Sequence, residues 1–282
     1  MIERPFATLD DYVLYLSQAE LPVLRLTHRE LMHARDNIDR VTRHDLARII
    51  FRDPLMAVNV LAYIQPLHGK LLHSDITSIG AAVMMLGIEP FFRHFGNPPV
   101  LEERLAAHPE VILAVLKRIR RAQRASHFAH AWAMWRHDLN VEEVTVAALL
   151  HDLAEILLWT FAPGLGNTVD RLQQAHPGLR SVDAQTQVFG VSAHELQTAL
   201  TAHWNMPQLL RQLMDDEHAE HPRVRNVTLA VNLARHTAHG WSDPAIPDDL
   251  SAIGALLNLG AEGLQQQFDL PPKDAEGTPQ PQ

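Results

Sequence analysis

Two neighbouring residues in the most apolar stretch of this chain could do chemistry. His151 and Asp152 sit inside the run Val144 to Phe161, where Glu155 is the one other ionisable residue. Val144, Val146, Ala147, Ala148, Leu149, Leu150, Leu153, Ala154, Ile156, Leu157, Leu158 and Trp159 cover every side of a helix drawn through them. A helix that is apolar all round is buried. An unpaired carboxylate carried inside would cost on the order of several kcal/mol. A metal ion, a histidine cation, an arginine or a hydrogen-bond network must therefore offset it. His151 and Asp152 stand about 100° apart on a helix, so one cation over that edge can be reached by both. His151 and Glu155 are one turn apart and point the same way. A second His-Asp pair, His137-Asp138, lies in a polar turn, so the apolar context singles out the first pair, not the dipeptide.

Other groups could join that pair. The chain has 18 histidines. His127 and His130 share a helical face upstream, and Asn232 is the single amide in the apolar part of the amphipathic stretch Val227 to His236. The run Lys117 to Arg124 holds five cations in eight residues. At helical spacing Lys117, Arg120, Arg121 and Arg124 fall on one side, which suits recognition of a phosphate or nucleotide leading into His127. The alternative is a solvated helix surface. His218-Ala-Glu-His221 has the spacing of a helical metal pair but sits in a polar, proline-ended stretch, where adventitious binding is expected. Trp132, Trp135 and Trp159 read as core packing.

The elements that must position these residues read as helix after helix. Thr27 to Glu30 fits a capping box, and Thr42 can cap the next helix. Asp53-Pro54 is an N-cap followed by proline at the first helical position, with the helix running to about Gln65-Pro66. Leu67 to Asp75 reads as a connection. Thr77 or Ser78 opens a helix that Gly87 stops. Gly96-Asn-Pro-Pro99 is the best internal boundary. Beyond it, Leu101–Ala107, Val111 to about Arg136 and Val141–Phe161 read as helices, the last of them long and continuous. Pro163 to Asn167 reads as a loop. Shorter helices follow near Val169–His176, Val182–Phe189, Ala193–His203, Pro207–His218, Val224–His239 and Leu250–Leu257. Period-2 alternation is nearly absent, so the expected fold is all-α in two helical lobes. The lobes are expected at 1–98 and 99–268, followed by a disordered tail over 269–282.

Composition bounds the function. The 282 residues are 46% hydrophobic and 20% charged, as in an ordinary globular protein. No cysteine is present, which excludes disulfides, thiolate metal sites and cysteine nucleophiles. The formal net charge of −9 argues against binding DNA or anionic lipid by overall charge. The Val144–Phe161 run carries His151, Asp152 and Glu155 near its middle, which a membrane span of about 20 apolar residues should not. A soluble cytoplasmic protein is expected, with no membrane partner.

The order of these motifs resembles the HD superfamily of metal-dependent phosphohydrolases, and within it the regulatory HDOD family. Leu21-Pro-Val-Leu24, Asp45-Leu-Ala-Arg-Ile-Ile-Phe-Arg-Asp-Pro54, Thr77-Ser-Ile to Leu86-Gly87, Leu149-Leu-His-Asp-Leu153, Phe189-Gly190, His194-Glu195 and Trp204-Asn-Met-Pro207 carry the resemblance, which spans roughly Leu21 to His239. It implies that His127, His151 and Asp152 stand at the metal-ligand positions. The closing aspartate falls at Asn232, whose amide brings no charge to a divalent site. Ala154-Glu155 stands where many relatives have Gly-Lys, replacing a phosphate-holding cation by an anion. The Gly-Tyr-Pro signature of the cyclic-dinucleotide phosphodiesterase branch is absent. In an active relative a metal at His127, His151 and Asp152 would activate water, with Asp152 as the candidate catalytic residue. His130, Glu155, His194, His203 and His218 could line the cleft. In an inactive one, His127 or His130 would donate to Asp152, and Asn232 or Glu155 would fix His151.

The reading favoured by these departures is a stand-alone, non-catalytic HDOD-type module of bacterial signal transduction. It would act by binding a signalling protein or a nucleotide, and would need no cofactor unless a divalent metal is retained. The alternative is a metal-dependent phosphohydrolase acting on a nucleotide or phosphoester.

Overall fold

A computed structural model of the chain describes residues 1–68 and 76–268. Most of the expected connection before Asp75, and the expected tail over 269–282, lie outside the described residues. In chain order the α-helices are α1 (Leu9–Gln18), α2 (Arg25–Asp36), α3 (Arg43–Ile50), α4 (Pro54–His68), α5 (Ile79–Leu86), α6 (Ile88–Phe95) and α7 (Leu101–Arg104). They continue as α8 (Pro109–Trp135), α9 (Val141–Leu150), α10 (Leu153–Phe161), α11 (Pro163–Ala175), α12 (Ser181–Phe189) and α13 (Ala193–His203). The last are α14 (Gln208–Leu213), α15 (Pro222–His236), α16 (Ile246–Leu257) and α17 (Ala261–Phe268). No strand occurs among the described residues, and Val23 meets Val100 in an isolated parallel bridge. The all-α expectation holds.

Local chemistry explains most of the helix starts. Thr42 and Asp45 form a reciprocal capping box on α3, and Ser78 caps α5. Gly87 takes φ +78°, a left-handed-side conformation that ends α5 and costs glycine little. Asp53 caps α4: its Oδ1 accepts the amides of Leu55 at 3.0 Å and Met56 at 3.3 Å. Its Oδ2 accepts the Leu24 amide at 2.7 Å, so the same carboxylate starts α4 and pins the entrance to α2. Thr27 is therefore not a cap. It lies one turn inside α2, buried, and its side chain bonds Asp53.

Further boundaries differ from expectation: α14 stops at Leu213 and not at His218, and α16 starts at Ile246 and not near Leu250. Pro163 to Asn167 is the first turn of α11 and not a loop, because proline suits the first helical position. Helix α1 carries its own capping box, Thr8 with Asp11, and buries Tyr12, Val13 and Leu16. It packs on α13, and the Tyr12 hydroxyl donates to the Phe189 carbonyl at 2.9 Å. The segment before residue 19 thus packs on the C-terminal helices. α17 was not legible as a separate element.

The core is one contiguous apolar cluster. Helix α8 is its axis: it packs on α9, α10, α11 and α15, and α15 packs in turn on α16. Helices α2 to α6 form the smaller lobe, joined through α4 to α8 and α9. Trp132, Trp159 and Phe161 are fully buried, each contributing roughly 1.5–3 kcal/mol by burial. The segment Val141–Phe161 is long and apolar enough to cross a membrane by length and composition, but its most apolar window is 83% buried inside the protein.

Candidate functional site

The expected continuous helix over Val141–Phe161 is broken in its middle. Helix α9 ends at Leu150, α10 begins at Leu153, and His151-Asp152 form the turn between them. Such a break frees backbone groups that must find partners when buried. The buried side chain of Gln197, on α13, supplies both. Its Oε1 accepts the Ala154 amide at 2.8 Å, and its Nε2 donates to the Leu150 carbonyl at 2.8 Å. Replacing Gln197 by leucine keeps the volume and strands both groups. The expected loss is about 2–3 kcal/mol of unfolding free energy, read by urea denaturation. An unchanged midpoint would mean that water serves those groups equally well.

The break turns His151 and Asp152 sideways into a cage of charges. Both side chains are 10% exposed. Asp152 Oδ2 lies 2.7 Å from Arg121 Nη2, and its Oδ1 lies 3.0 Å from His151 Nδ1 and 3.4 Å from Arg235 Nη2. His151 Nε2 is 3.2 Å from Asp216 Oδ1, which also accepts from the Thr228 hydroxyl at 2.7 Å. One turn into α10, Glu155 takes Arg118 Nε at 2.9 Å and a second, very short bond from Arg121. Arg118 also reaches Asp170 at 2.9 Å, and its guanidinium stacks 3.9 Å above the Trp159 ring.

The electrostatics follow from this geometry. Burial alone would lower the His151 pKa, but the hydrogen bonds and charges of Asp152 and Asp216 outweigh it and raise the pKa to about 9. Burial pushes Asp152 up, and Arg121, the His151 hydrogen bond and Arg235 drive it well below the usual carboxylate range. Glu155 is likewise lowered, against its burial, by Arg121 and Arg118. Arg121, itself desolvated, is held protonated by Glu155 and Asp152. Four carboxylates (Asp152, Glu155, Asp170, Asp216) thus meet three guanidiniums (Arg118, Arg121, Arg235) and the His151 imidazole, and with that ring protonated the formal charges cancel.

The sequence model of the HDOD domain family matches residues 21–220. The chain belongs to the HDOD domain family. Among solved structures, the MmoQ response regulator of Methylococcus capsulatus str. Bath is similar at 18% identity, covering 88% of this chain and 98% of that one, with a TM-score of 0.62. A virulence factor from Campylobacter jejuni subsp. jejuni is similar at 17% identity, covering 95% and 96%, with a TM-score of 0.67. At these identities the likeness is one of fold. No curated protein matches the chain.

The HD superfamily implies a divalent metal, and the residues of this HDOD chain do not fit one. No group of three or more His, Asp or Glu side chains that could hold a metal ion occurs among the described residues. His151 has both ring nitrogens turned to carboxylates, Asp152 Oδ1 at 3.0 Å and Asp216 Oδ1 at 3.2 Å, a setting that favours the doubly protonated ring, which has no lone pair to offer an ion. Asp152 spends both oxygens on cations. Of the expected set of His127, His151, Asp152 and Asn232, His151 and Asp152 adjoin one another, and Arg121 and Arg235 stand on Asp152. His127 follows Arg121 by six residues, roughly 240° round α8, and lines the groove toward the smaller lobe. The positions of α8 that face the dyad hold Arg118 and Arg121. Asn232 lies between Thr228 and Arg235 at helical spacing on α15. There a cation, Arg235, reaches Asp152 where an active relative would bring a second acid.

The other expected site residues disperse. His130 bonds the Thr145 hydroxyl at 3.2 Å and lines the same groove as His127, so neither donates to Asp152. His194 and His203 are exposed on α13, and His218 pairs with Asp215 at 3.0 Å. Glu155 belongs to the cage, though it binds arginines and not His151. The expected phosphate face also divides: Lys117 and Arg120 are exposed, Arg121 turns inward, and Arg124 donates to the carbonyl and hydroxyl of Thr237. Sequence reasoning missed Arg118, Asp170, Gln197, Asp216, Thr228 and Arg235. The spacing of Arg118 and Arg121 one turn apart, ahead of a buried acidic pair, was the available signal.

Proposed function

We propose that this HDOD chain is a non-catalytic regulatory module of bacterial signal transduction, acting in the cytoplasm by binding a partner. The observation that supports this reading is the arginine–carboxylate cage at His151 and Asp152. A hydrolytic HD centre needs anionic and neutral donors left open for an ion and its water. Here those donors are consumed by side-chain cations of the same chain. The dyad then works as a structural node that fixes α8, α10 and α15 to one another. A groove of about 960 Å³ between the lobes, lined by His127 and His130 among others, is open for a partner.

The test is turnover. With Mg²⁺, Mn²⁺ or Co²⁺ and a panel of nucleotides and phosphoesters, release of phosphate by the wild-type chain should equal that of Asp152→Ala. Metal-dependent turnover lost in Asp152→Ala would replace this reading by the phosphohydrolase one.

A further inference from the structure

The groove between the lobes has a charge pattern that specifies its occupant. Between Arg25 and Arg52 the chain has seven arginines against four carboxylates, although its net charge is −9. That basic segment is α2, α3 and the turn between them, and it forms one wall of the groove. A second hollow of about 640 Å³ lies on the same two helices and shares Glu30 and Arg48 with the first. Arg29, Arg40 and Arg43 are exposed along these two hollows and form no ion pair among the described residues. Arg52, by contrast, is held by Glu30 at 2.9 Å.

The floor is apolar. Leu26 is 46% exposed and lines the groove with Ala47, Phe51 and Val141. Val41 and Ile49 continue the apolar surface into the second hollow. Small-molecule sites occupy about 300–1,000 Å³. Each hollow alone falls in that range, but the two, which share Glu30 and Arg48, together exceed it, which suits an occupant larger than a small molecule. A phosphate group is poorly served. The Gly80 amide, at the N-terminus of α5, already donates to the Glu142 carboxylate at 2.6 Å.

We propose that this groove receives an acidic amphipathic helix of a partner protein. Its apolar side chains, at i, i+3, i+4 and i+7, rest on Leu26 and Phe51, and its carboxylates meet Arg29, Arg40 and Arg43. The inference rests on the reading that the chain acts by binding, and it supplies the partner's chemistry.

A random 16-residue peptide library displayed on phage, panned against the full chain, tests it without a known partner. Enriched peptides should carry Asp or Glu beside apolar residues at helical spacing. Arg40→Glu with Arg43→Glu should weaken their binding at least tenfold, and so should Leu26→Asp. All three residues are exposed; Leu26 and Arg43 lie in the first turns of α2 and α3, where an acid suits the helix, and Arg40 lies in the exposed turn before α3, so circular dichroism should stay unchanged. No enrichment, enrichment of non-acidic peptides, affinity unaltered by these variants, or displacement of the peptides by GTP would each overturn the proposal. None of these outcomes involves turnover, so the groove can fail while the non-catalytic reading stands.

Discussion

Arg121→Ala is expected to destabilise the fold by about 3–5 kcal/mol, the cost of removing one partner from a buried ion cluster. Arg121 bridges Asp152 and Glu155, whose side chains are 10% and 13% exposed. Without it, two buried carboxylates face each other, and Arg118, Arg235 and His151 cannot reach both from its position. The melting temperature should fall by about 10 °C, at the roughly 2–4 °C per kcal/mol of a large domain. The loss comes from stranded charge and not from lost packing, which a second variant separates. Arg121→Met combined with Asp152→Asn and Glu155→Gln removes the charges together, and should recover most of the loss. If Arg121→Ala alone melts like the wild type, the cage is not holding the helices.

The second large effect is a pH dependence with a definite sign. His151 has a folded pKa raised to about 9, above the ordinary value of 6.5. A group whose pKa rises on folding stabilises the fold fully below its unfolded pKa and loses that contribution as pH rises through the folded one. Unfolding free energy should therefore fall between pH 6.5 and about 9, by on the order of 3 kcal/mol. Asp152 and Glu155 act in the opposite sense. Their lowered pKa values stabilise the fold above the usual carboxylate range and lose that contribution in acid. Urea titrations at pH 6 and pH 9.5 measure the alkaline limb, and His151→Gln should flatten it. A wild-type stability that is level over this interval would mean that His151 is neutral in the folded state.

Much of this was legible in the residues themselves. The all-round apolar character of Val144 to Trp159 required a buried dyad, and the cost of burying Asp152 required compensation. Capping chemistry at Thr42, Asp53 and Ser78 placed α3, α4 and α5. The source of the compensation was less legible because it depends on contacts far apart in sequence. Asp216 comes from a short turn 65 residues beyond His151, and Arg235 from a helix face whose role only α15 packing reveals. The break between α9 and α10 was hidden because every flanking residue favours a helix. Gln197, which stabilises that break, lies 43 residues from Ala154. His127 misled because a histidine before a His-Asp pair fits the family pattern, while the turn of α8 directs Arg118 and Arg121 to the dyad.

The protonation of His151 in the presence of metal tests the central claim most directly. Nitrogen-15 NMR of the imidazole at pH 7.5, before and after 1 mM Zn²⁺ or Mn²⁺ — concentrations of about the order at which weak sites fill — reads both quantities at once. Two protonated ring nitrogens, unchanged by either ion, are predicted for an imidazolium clamped between Asp152 and Asp216. A neutral ring whose signals shift with Zn²⁺ and broaden with Mn²⁺ would show an ion held where the account places arginines.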